Sequence, residues 1–395
     1  MLTEAQTAII KATVPLLETG GEALTTHFYK IMLSEHPEVR PLFNQANQAS
    51  GKQPRALANS VLMYARHIDN LGALGPVAAQ IINKHVALQV LPEHYPIVGS
   101  CLLRAIREVL GAEVATDAVI DAWAAAYQQL ADILIGAESK VYDDLAAAKG
   151  GWRGGRAFRV ARKTPESSEI TSFLLEPVDG AAVVDFLPGQ YIGLQLMVEG
   201  QEIRRNYSLS AAPNGRNLRI SVKREAGGVA SNHLHDHVHA GDTLTVFPPA
   251  GEFTLSAAER PLVLISGGVG ITPTLAMAEA TLYAGERPIT FIHYARNAQV
   301  RAFGHVLDGW AKQFPQFKAY LVYDTENADA DRQPDAIGYA SAEQLAAWLP
   351  ESLDVDAYFL GPKAFMGCIK QHLENLGVPA GQIHWEFFGP AEALA

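Results

Sequence analysis

A chain of 395 residues is longer than one hydrophobic core usually organises, so two or three domains are expected. Hydrophobic residues make up 48% and charged ones 18%, which excludes wholesale disorder and suits a soluble globular protein. Lys and Arg total 31 against 42 Asp and Glu, a net charge of -11 with no dense basic run, so nucleic acid is not an expected partner.

From residue 1 to 147 the apolar residues recur at helical spacing. Ala56, Leu57, Val61, Tyr64 and Ile68 form one stripe, and Trp123, Tyr127, Leu130, Leu134 and Val141 another. The N-terminal stretch mixes Glu4, Lys11 and Glu18 into an amphipathic pattern instead of a basic end followed by an apolar block. No apolar run reaches the roughly 18 residues of a membrane span. A cytoplasmic protein without integral membrane association is expected, and no obligate protein partner is evident. Cys101 and Cys368 form no metal-ligand spacing and read as structural thiols.

Within this helical region, Ile81, His85 and Leu88 place a histidine on an apolar stripe that Pro92 bounds, with His94 in the turn beyond. Tyr95, Val98, Leu102, Ile106 and Val109 form the inner face of the next helix. A buried phenol needs a hydrogen-bond partner. Glu138 lies on the inner stripe of the last helix, where an ionised carboxylate is costly unless paired. Convergence of His85, Tyr95 and Glu138 would give a histidine whose second nitrogen is tied to a carboxylate or phenol, an arrangement that enriches a bound metal in electrons. An all-α pocket suits haem iron. Tyr29, Phe43, Gln53 and Leu57 are candidates for the opposite side, with Pro54 in a first helical turn setting Gln53 at a cap.

Residues 148 to 155 concentrate glycine around Trp152 and form the linker candidate. From 156 to 258 short strands (ITSFLLEP, QYIGLQLMV, YSLSAAP, LRISVKRE) are separated by turn signals, the pattern of a small antiparallel barrel. From 259 to 395 the apolar runs PLVLIS, PITFIHYA, KAYLVY and DAYFLG alternate with helical segments, the pattern of a parallel sheet in an α/β domain. In PLVLISGGVGITPTLAMAEA a strand, a glycine turn and a helix opening at about Pro273 place backbone N–H groups where a pyrophosphate can sit. Arg205, Asn206, Tyr207 and Ser208, then the glycine-led helix start GGVAS containing Ser231, are the pieces a flavin dinucleotide needs.

Through Arg-x-Tyr-Ser, Gly-Gly-x-Gly-x-Thr-Pro and the terminal segment HWEFFGP, residues 155 to 395 resemble the ferredoxin reductase-like flavoproteins. The resemblance implies that Tyr191, Arg205, Asn206, Tyr207, Ser208, Ser231, Phe387, Phe388, Gly389 and Pro390 bind FAD. It assigns the nicotinamide dinucleotide to Gly268, Val269, Gly270, Ile271, Thr272 and Pro273. Leu360 stands where such proteins often carry cysteine, which puts the efficiency of hydride transfer in question. Arg296, after the second strand, is either a partner for a ribose 2′-phosphate or a solvated side chain.

Residues 1 to 147 resemble a globin, and the three parts in this order resemble the bacterial flavohaemoglobins. That resemblance implies haem b with His85 as proximal iron ligand, Tyr95 and Glu138 as its relay, and Lys84 and Glu386 as redox-tuning residues. It places Tyr29, Gln53, Leu57 and Phe43 around the bound gas. The implied activity is nitric oxide dioxygenase: NAD(P)H reduces FAD, FAD reduces haem iron, and O2 held there reacts with NO to give nitrate. An oxygen-binding globin kept ferrous by its reductase and a flavin reductase serving other acceptors are the alternatives.

Overall fold

The computed structural model describes residues 2–44, 48, 50–325 and 332–389. The chain forms two compact units, the first comprising residues 1–147 with the hairpin tip 195–205 and Gly389, the second most of the remainder.

The first unit is helical. Helix α1 (Glu4–Ala12) starts where the Thr3 hydroxyl accepts from Gln6 N and the Gln6 side chain answers at Thr3 N. Helix α2 (Val14–Glu35) has proline in its first turn and buries Leu24, Phe28, Tyr29 and Met32. Helix α3 (Lys52–Arg66) follows Gly51, whose φ of 71° turns the chain into it. Gln53 is therefore the second helical residue and not the cap; glycine takes that place, and Pro54 sits one residue further into the first turn. Helix α4 (Gly75–Leu88) ends at Gln89, in the left-handed conformation.

Helix α5 (His94–Leu110) takes in His94, which the sequence assigns to the connecting turn. His94 is its first residue, and the imidazole Nδ1 accepts from Leu91 N at 2.9 Å. Tyr95, Leu102 and Ile106 are buried as expected, whereas Val109, in the last turn, is 38% exposed. The long helix α6 (Asp117–Ala147) buries Trp123, Ala126, Leu134, Glu138 and Tyr142.

In the second unit the glycine-rich segment after α6 is docked rather than loose: Trp152 is buried and its indole N–H donates to Val246 O at 3.1 Å. Strands β1 (Arg156–Pro165), β2 (Ile170–Pro177), β3 (Tyr191–Val198), β4 (Gln201–Ser208), β5 (Leu218–Lys223) and β6 (Thr243–Val246) form one sheet in the order β4-β3-β6-β1-β2-β5. An antiparallel bridge from Leu209 to Ile220 joins the two edges and curls the sheet into a barrel. Phe158, Val160, Phe173, Leu175, Ile192, Leu194, Leu218 and Ile220 lie buried in it. The strand expected over YSLSAAP is the tail of β4, which ends at Ser208. Helix α7 (Val229–His237) follows β5.

The last part is a parallel sheet in the order β10-β9-β8-β7-β11-β12, made of β7 (Leu262–Gly267), β8 (Ile289–Ala295), β9 (Phe317–Tyr323), β10 (Ala336–Ile337), β11 (Asp356–Leu360) and β12 (Ile383–Trp385). Every residue of β7, β8 and β11 is buried, the pattern of strands covered on both faces. Helices α8 (Ile271–Ala284) and α9 (Gly304–Gln313) cover one face, and α10 (Ala342–Trp348) and α11 (Lys363–Leu376) the other. The chain leaves β7 toward β8 on one side and returns to β11 on the other, so the crevice for a ligand opens past the carboxyl ends of β7 and β11. Among the described residues no helix is long and apolar enough to cross a membrane.

Candidate functional site

Helices α4, α5 and α6 bring three side chains to one point. Glu138 Oε1 lies 2.7 Å from His85 Nδ1 and accepts the Tyr95 hydroxyl at 2.7 Å; the hydroxyl is also 3.2 Å from His85 Nδ1. A carboxylate only accepts, so Nδ1 carries the imidazole proton and Nε2 keeps its lone pair. Nε2 makes no hydrogen bond to a described residue. The carboxylate is 3% exposed and pairs with no lysine or arginine among the described residues, a placement tolerable only because both donors are in place. Burial, then the hydrogen bond and charge of Glu138, push the Tyr95 phenol well above the ordinary range, so it remains a donor.

Two tyrosines that the apolar stripes had shown only as packing residues, or not at all, brace this group. Tyr127 donates to Tyr95 O at 2.6 Å and Tyr142 to Val90 O at 2.9 Å. Their positions on α6 carry no chemical signal in sequence, because a core tyrosine has the same spacing. Gly99 lets Tyr127 in: a Cβ there would fall 2.5 Å from the Tyr127 ring.

Tyr29 is buried on α2, with its ring edge-on to Phe43 at a centroid distance of 5.6 Å. Burial raises its phenol strongly, an effect partly offset by the side chains of Gln53 and Gln48 beside it. The hydroxyl is thus a neutral donor. Gln53 Oε1 is buried without a partner among the described residues, an unsatisfied acceptor in a largely apolar lining to which Leu57 also belongs. An imidazole with Nδ1 tied and Nε2 free, together with an orphaned polar atom beside Tyr29, fits a haem. Lys84, adjacent to His85, donates to Gly389 O at 2.8 Å.

In the barrel, alternation along β4 sets Arg205 and Tyr207 on one side and Asn206 and Ser208 on the other. Arg205 donates to Arg204 O, and Ser208 is buried. Tyr191 opens β3 against Gly251, where a Cβ would come within 2.8 Å of its ring. Burial raises its phenol, helped by the carboxylates of Glu386 and Glu252. Ser231, in the first turn of α7, accepts from Glu225 N at 3.1 Å and so closes the loop through Gly227 and Gly228. Phe387 packs on the core of the last sheet, whereas Phe388 is 53% exposed; the two neighbouring rings therefore do different things. Pro390 lies outside the described residues.

At the crevice past β7, Gly268 has φ +56° with open space where a Cβ would project. Gly270 has none, since a Cβ would sit 2.3 Å from Leu360 O. One glycine thus leaves backbone exposed to a ligand and the other packs the turn against β11. Helix α8 opens at Ile271, two residues before the proline expected to mark it, because Val269 and Gly270 already turn helically and Thr272 Oγ1 donates to Val269 O at 3.0 Å. Ile271, Thr272 and Pro273 are buried there. A glycine turn feeding a helix N-terminus fits a pyrophosphate. Arg296 is not solvated alone: it pairs with Glu169 at 2.5 Å.

Three domain families match in succession: globin over residues 26–134, an oxidoreductase FAD-binding domain over 157–255 and an oxidoreductase NAD-binding domain over 264–371. The flavohemoprotein of Pseudomonas putida is 65% identical over 394 residues, covering all of both chains. A crystal structure of flavohemoglobin from Malassezia yamatoensis with bound FAD and heme superposes with a TM-score of 0.86 at 26% identity, covering 98% of this chain and 100% of that one. The flavohem-like FAD/NAD binding domain of nitric oxide dioxygenase from Vibrio cholerae covers 60% of this chain and 100% of its own, with a TM-score of 0.56 and 38% identity.

Proposed function

The chain belongs to the flavohemoprotein family, and from that premise we propose that it is a nitric oxide dioxygenase, oxidising NO with O2 to nitrate at the expense of NAD(P)H. The observation that carries this reading is the shared carboxylate oxygen of Glu138, which accepts from both His85 and Tyr95. When bound, haem b supplies a one-electron metal centre for oxygen chemistry, FAD divides the two electrons of a hydride, and NAD(P)H provides that hydride.

His85 would hold the iron through Nε2. Glu138 draws on the Nδ1 proton and makes the imidazole a stronger electron donor, while Tyr95 fixes the carboxylate so that it cannot rotate away. That push favours reduction of oxygen over its simple storage. Tyr29 would offer a hydrogen bond from a neutral phenol to negative charge developing on the oxygen substrate, with Gln53, Leu57 and Phe43 shaping the space beside it. In the second unit, the Gly268–Pro273 turn would seat the nicotinamide dinucleotide. Tyr191, Arg205, Asn206, Tyr207, Ser208 and Ser231 would hold FAD, joined by Phe388 and Gly389. Phe387, tied into the core, supports its neighbour. Lys84 and Glu386 would adjust the balance of potentials.

Two NO and two O2 consume one NAD(P)H and give two nitrate and one proton, so the reaction balances without a further reductant. The test is NO consumption in aerated buffer by protein loaded with haem and FAD, with NAD(P)H in excess and nitrate followed. Many turnovers per enzyme are expected, and Glu138→Gln should slow them by about 10–100-fold. A single stoichiometric loss of NO would overturn the reading and favour an oxygen-binding globin.

A further inference from the structure

Away from the crevice past β7, a cavity of about 340 Å³ lies between the outer face of the barrel and the start of α9. Strands β1, β2 and β5 contribute Arg162, Thr164, Ser172, Leu174 and Arg219, and the α9 end contributes Phe303, His305 and Val306. Register explains the grouping: Arg162 pairs with Leu174, Thr164 with Ser172, and Leu174 with Arg219, so these side chains share one face of the sheet.

Arg219 is the unusual member. Its guanidinium lies over the Phe303 ring at 5.5 Å and donates from Nε to Ser210 Oγ at 3.2 Å and from Nη2 to Ser210 O. Ser210 Oγ continues to Ser221 Oγ at 2.7 Å, and Ser221 Oγ to Ser172 Oγ at 2.8 Å, a chain of three buried hydroxyls that ends in the cavity wall. The arginine is thus fixed in place by neutral groups alone. It makes no salt bridge with a described residue; burial works most against its charge, Glu279 and Glu166 favour it from a distance, and Arg162 opposes it. Arg162 and His305, also in the lining, make no hydrogen bond or ion pair with a described residue. An arginine held rigidly and desolvated, with no carboxylate in direct contact, is costly unless an anion completes it.

We propose that this cavity is a binding site for a phosphate monoester carrying an apolar group. Nη1 of Arg219 on β5, and the guanidinium of Arg162 and the hydroxyl of Thr164 on β1, converge on the phosphate from two strands, which suits a tetrahedral dianion. The backbone N–H groups of the first turn of α9 add favourable partial charge. Leu174, Phe303 and Val306 cover the apolar part. Glu166, also in the lining, selects for a ligand with a hydroxyl or amino donor and against a second anionic group. Because the walls come from the barrel on one side and the α/β layer on the other, an occupant would clamp the two together. This assignment is independent of the NO chemistry.

The experiment uses full-length protein with haem and FAD bound and NAD+ at saturation, so that both dinucleotide phosphate sites are filled. Phenyl phosphate is titrated by calorimetry at fixed ionic strength, beside Arg162→Gln, Arg219→Lys and Ser172→Ala. Saturable binding at one site is expected, weakened at least about tenfold by Arg162→Gln, the loss of one charge-assisted contact. The KM for NADH should stay unchanged in that variant. Should Arg219→Lys fold poorly, Arg162→Gln and Ser172→Ala still decide. Absence of saturable binding, or affinity indifferent to Arg162→Gln, would overturn the site. Benzoate binding as tightly as phenyl phosphate would overturn its assignment to phosphate.

Discussion

Tyr29 isolates what a single hydroxyl contributes. Its phenol is buried, protonated and adjacent to Gln53 and Gln48 in an otherwise apolar lining. Tyr29→Phe removes the donor and leaves the ring that packs on Phe43. Faster O2 release and slower NO turnover are expected, by about tenfold or more for a hydrogen bond to a charged group. Stopped-flow O2 dissociation and NO consumption measure the two; if both rates match the unmodified protein, the role assigned to Tyr29 fails. Arg296 shows a second effect of one side chain. It follows the second strand of the parallel sheet and pairs with Glu169, so a ribose 2′-phosphate would have to displace that carboxylate to reach it. Glu169→Gln should therefore lower the KM for NADPH relative to that for NADH, whereas an unaltered ratio would remove Arg296 from cofactor selection.

At the scale of elements, the contact of α5 with α6 depends on Gly99. Adding a methyl there meets the Tyr127 ring, whose hydroxyl holds the Tyr95 carbonyl. Gly99→Ala should cost about 1–3 kcal/mol in thermal unfolding and shift the haem Soret band through the displaced Tyr95; an unchanged melting temperature would show that α6 gives way freely. Strand β8 carries a different liability. His293 is fully enclosed, its Nδ1 lies 2.8 Å from Ser266 Oγ, and burial holds its pKa down at about 3. The folded state therefore stays neutral while the unfolded state protonates below its ordinary pKa of 6.5. This stability contribution is complete above about pH 6.5 and declines by about 1.4 kcal/mol per unit as pH falls toward 3. The difference in unfolding free energy between the unmodified protein and His293→Gln should change with about that slope between pH 4 and 6.5, and a pH-independent difference would remove His293 as the cause.

These elements also show what sequence reveals. The β2 run ITSFLLEP was legible because turn signals bound it on both sides, and β7, β8 and β11 because strands buried on both faces read as unbroken apolar runs. Strands β1 and β4 were hidden by their charges: RAFRVARKTP and QEIRRNYS carry arginines that break the apolar alternation. The group at His85 was visible because a histidine, a phenol and a carboxylate each violated an apolar stripe. Tyr127 and Gly99 violated nothing. Arg219 was concealed more fully, since an arginine in an alternating strand reads as solvent-facing until α9 covers it.

For the molecule as a whole, two units with separate cores carry separable chemistry. His85 and the groups that hold its imidazole lie in the helical unit, and the Gly268–Pro273 turn belongs to a sheet with its own buried strands. Losing the iron should therefore leave hydride acceptance intact. His85→Ala removes the only Nε2 that the Glu138 relay orients, without touching β7 or the Gly268–Pro273 turn. NADH oxidation with ferricyanide as acceptor should continue near the unmodified rate, while aerobic NO consumption falls to background. Surviving NO consumption in His85→Ala would move the reaction from the haem to the flavin and support a general flavin reductase. Loss of both activities would mean instead that the second unit depends on the first for its fold. The outcome that separates them, reductase retained and NO turnover abolished, is the one expected of a chain that delivers electrons in one unit and spends them in the other.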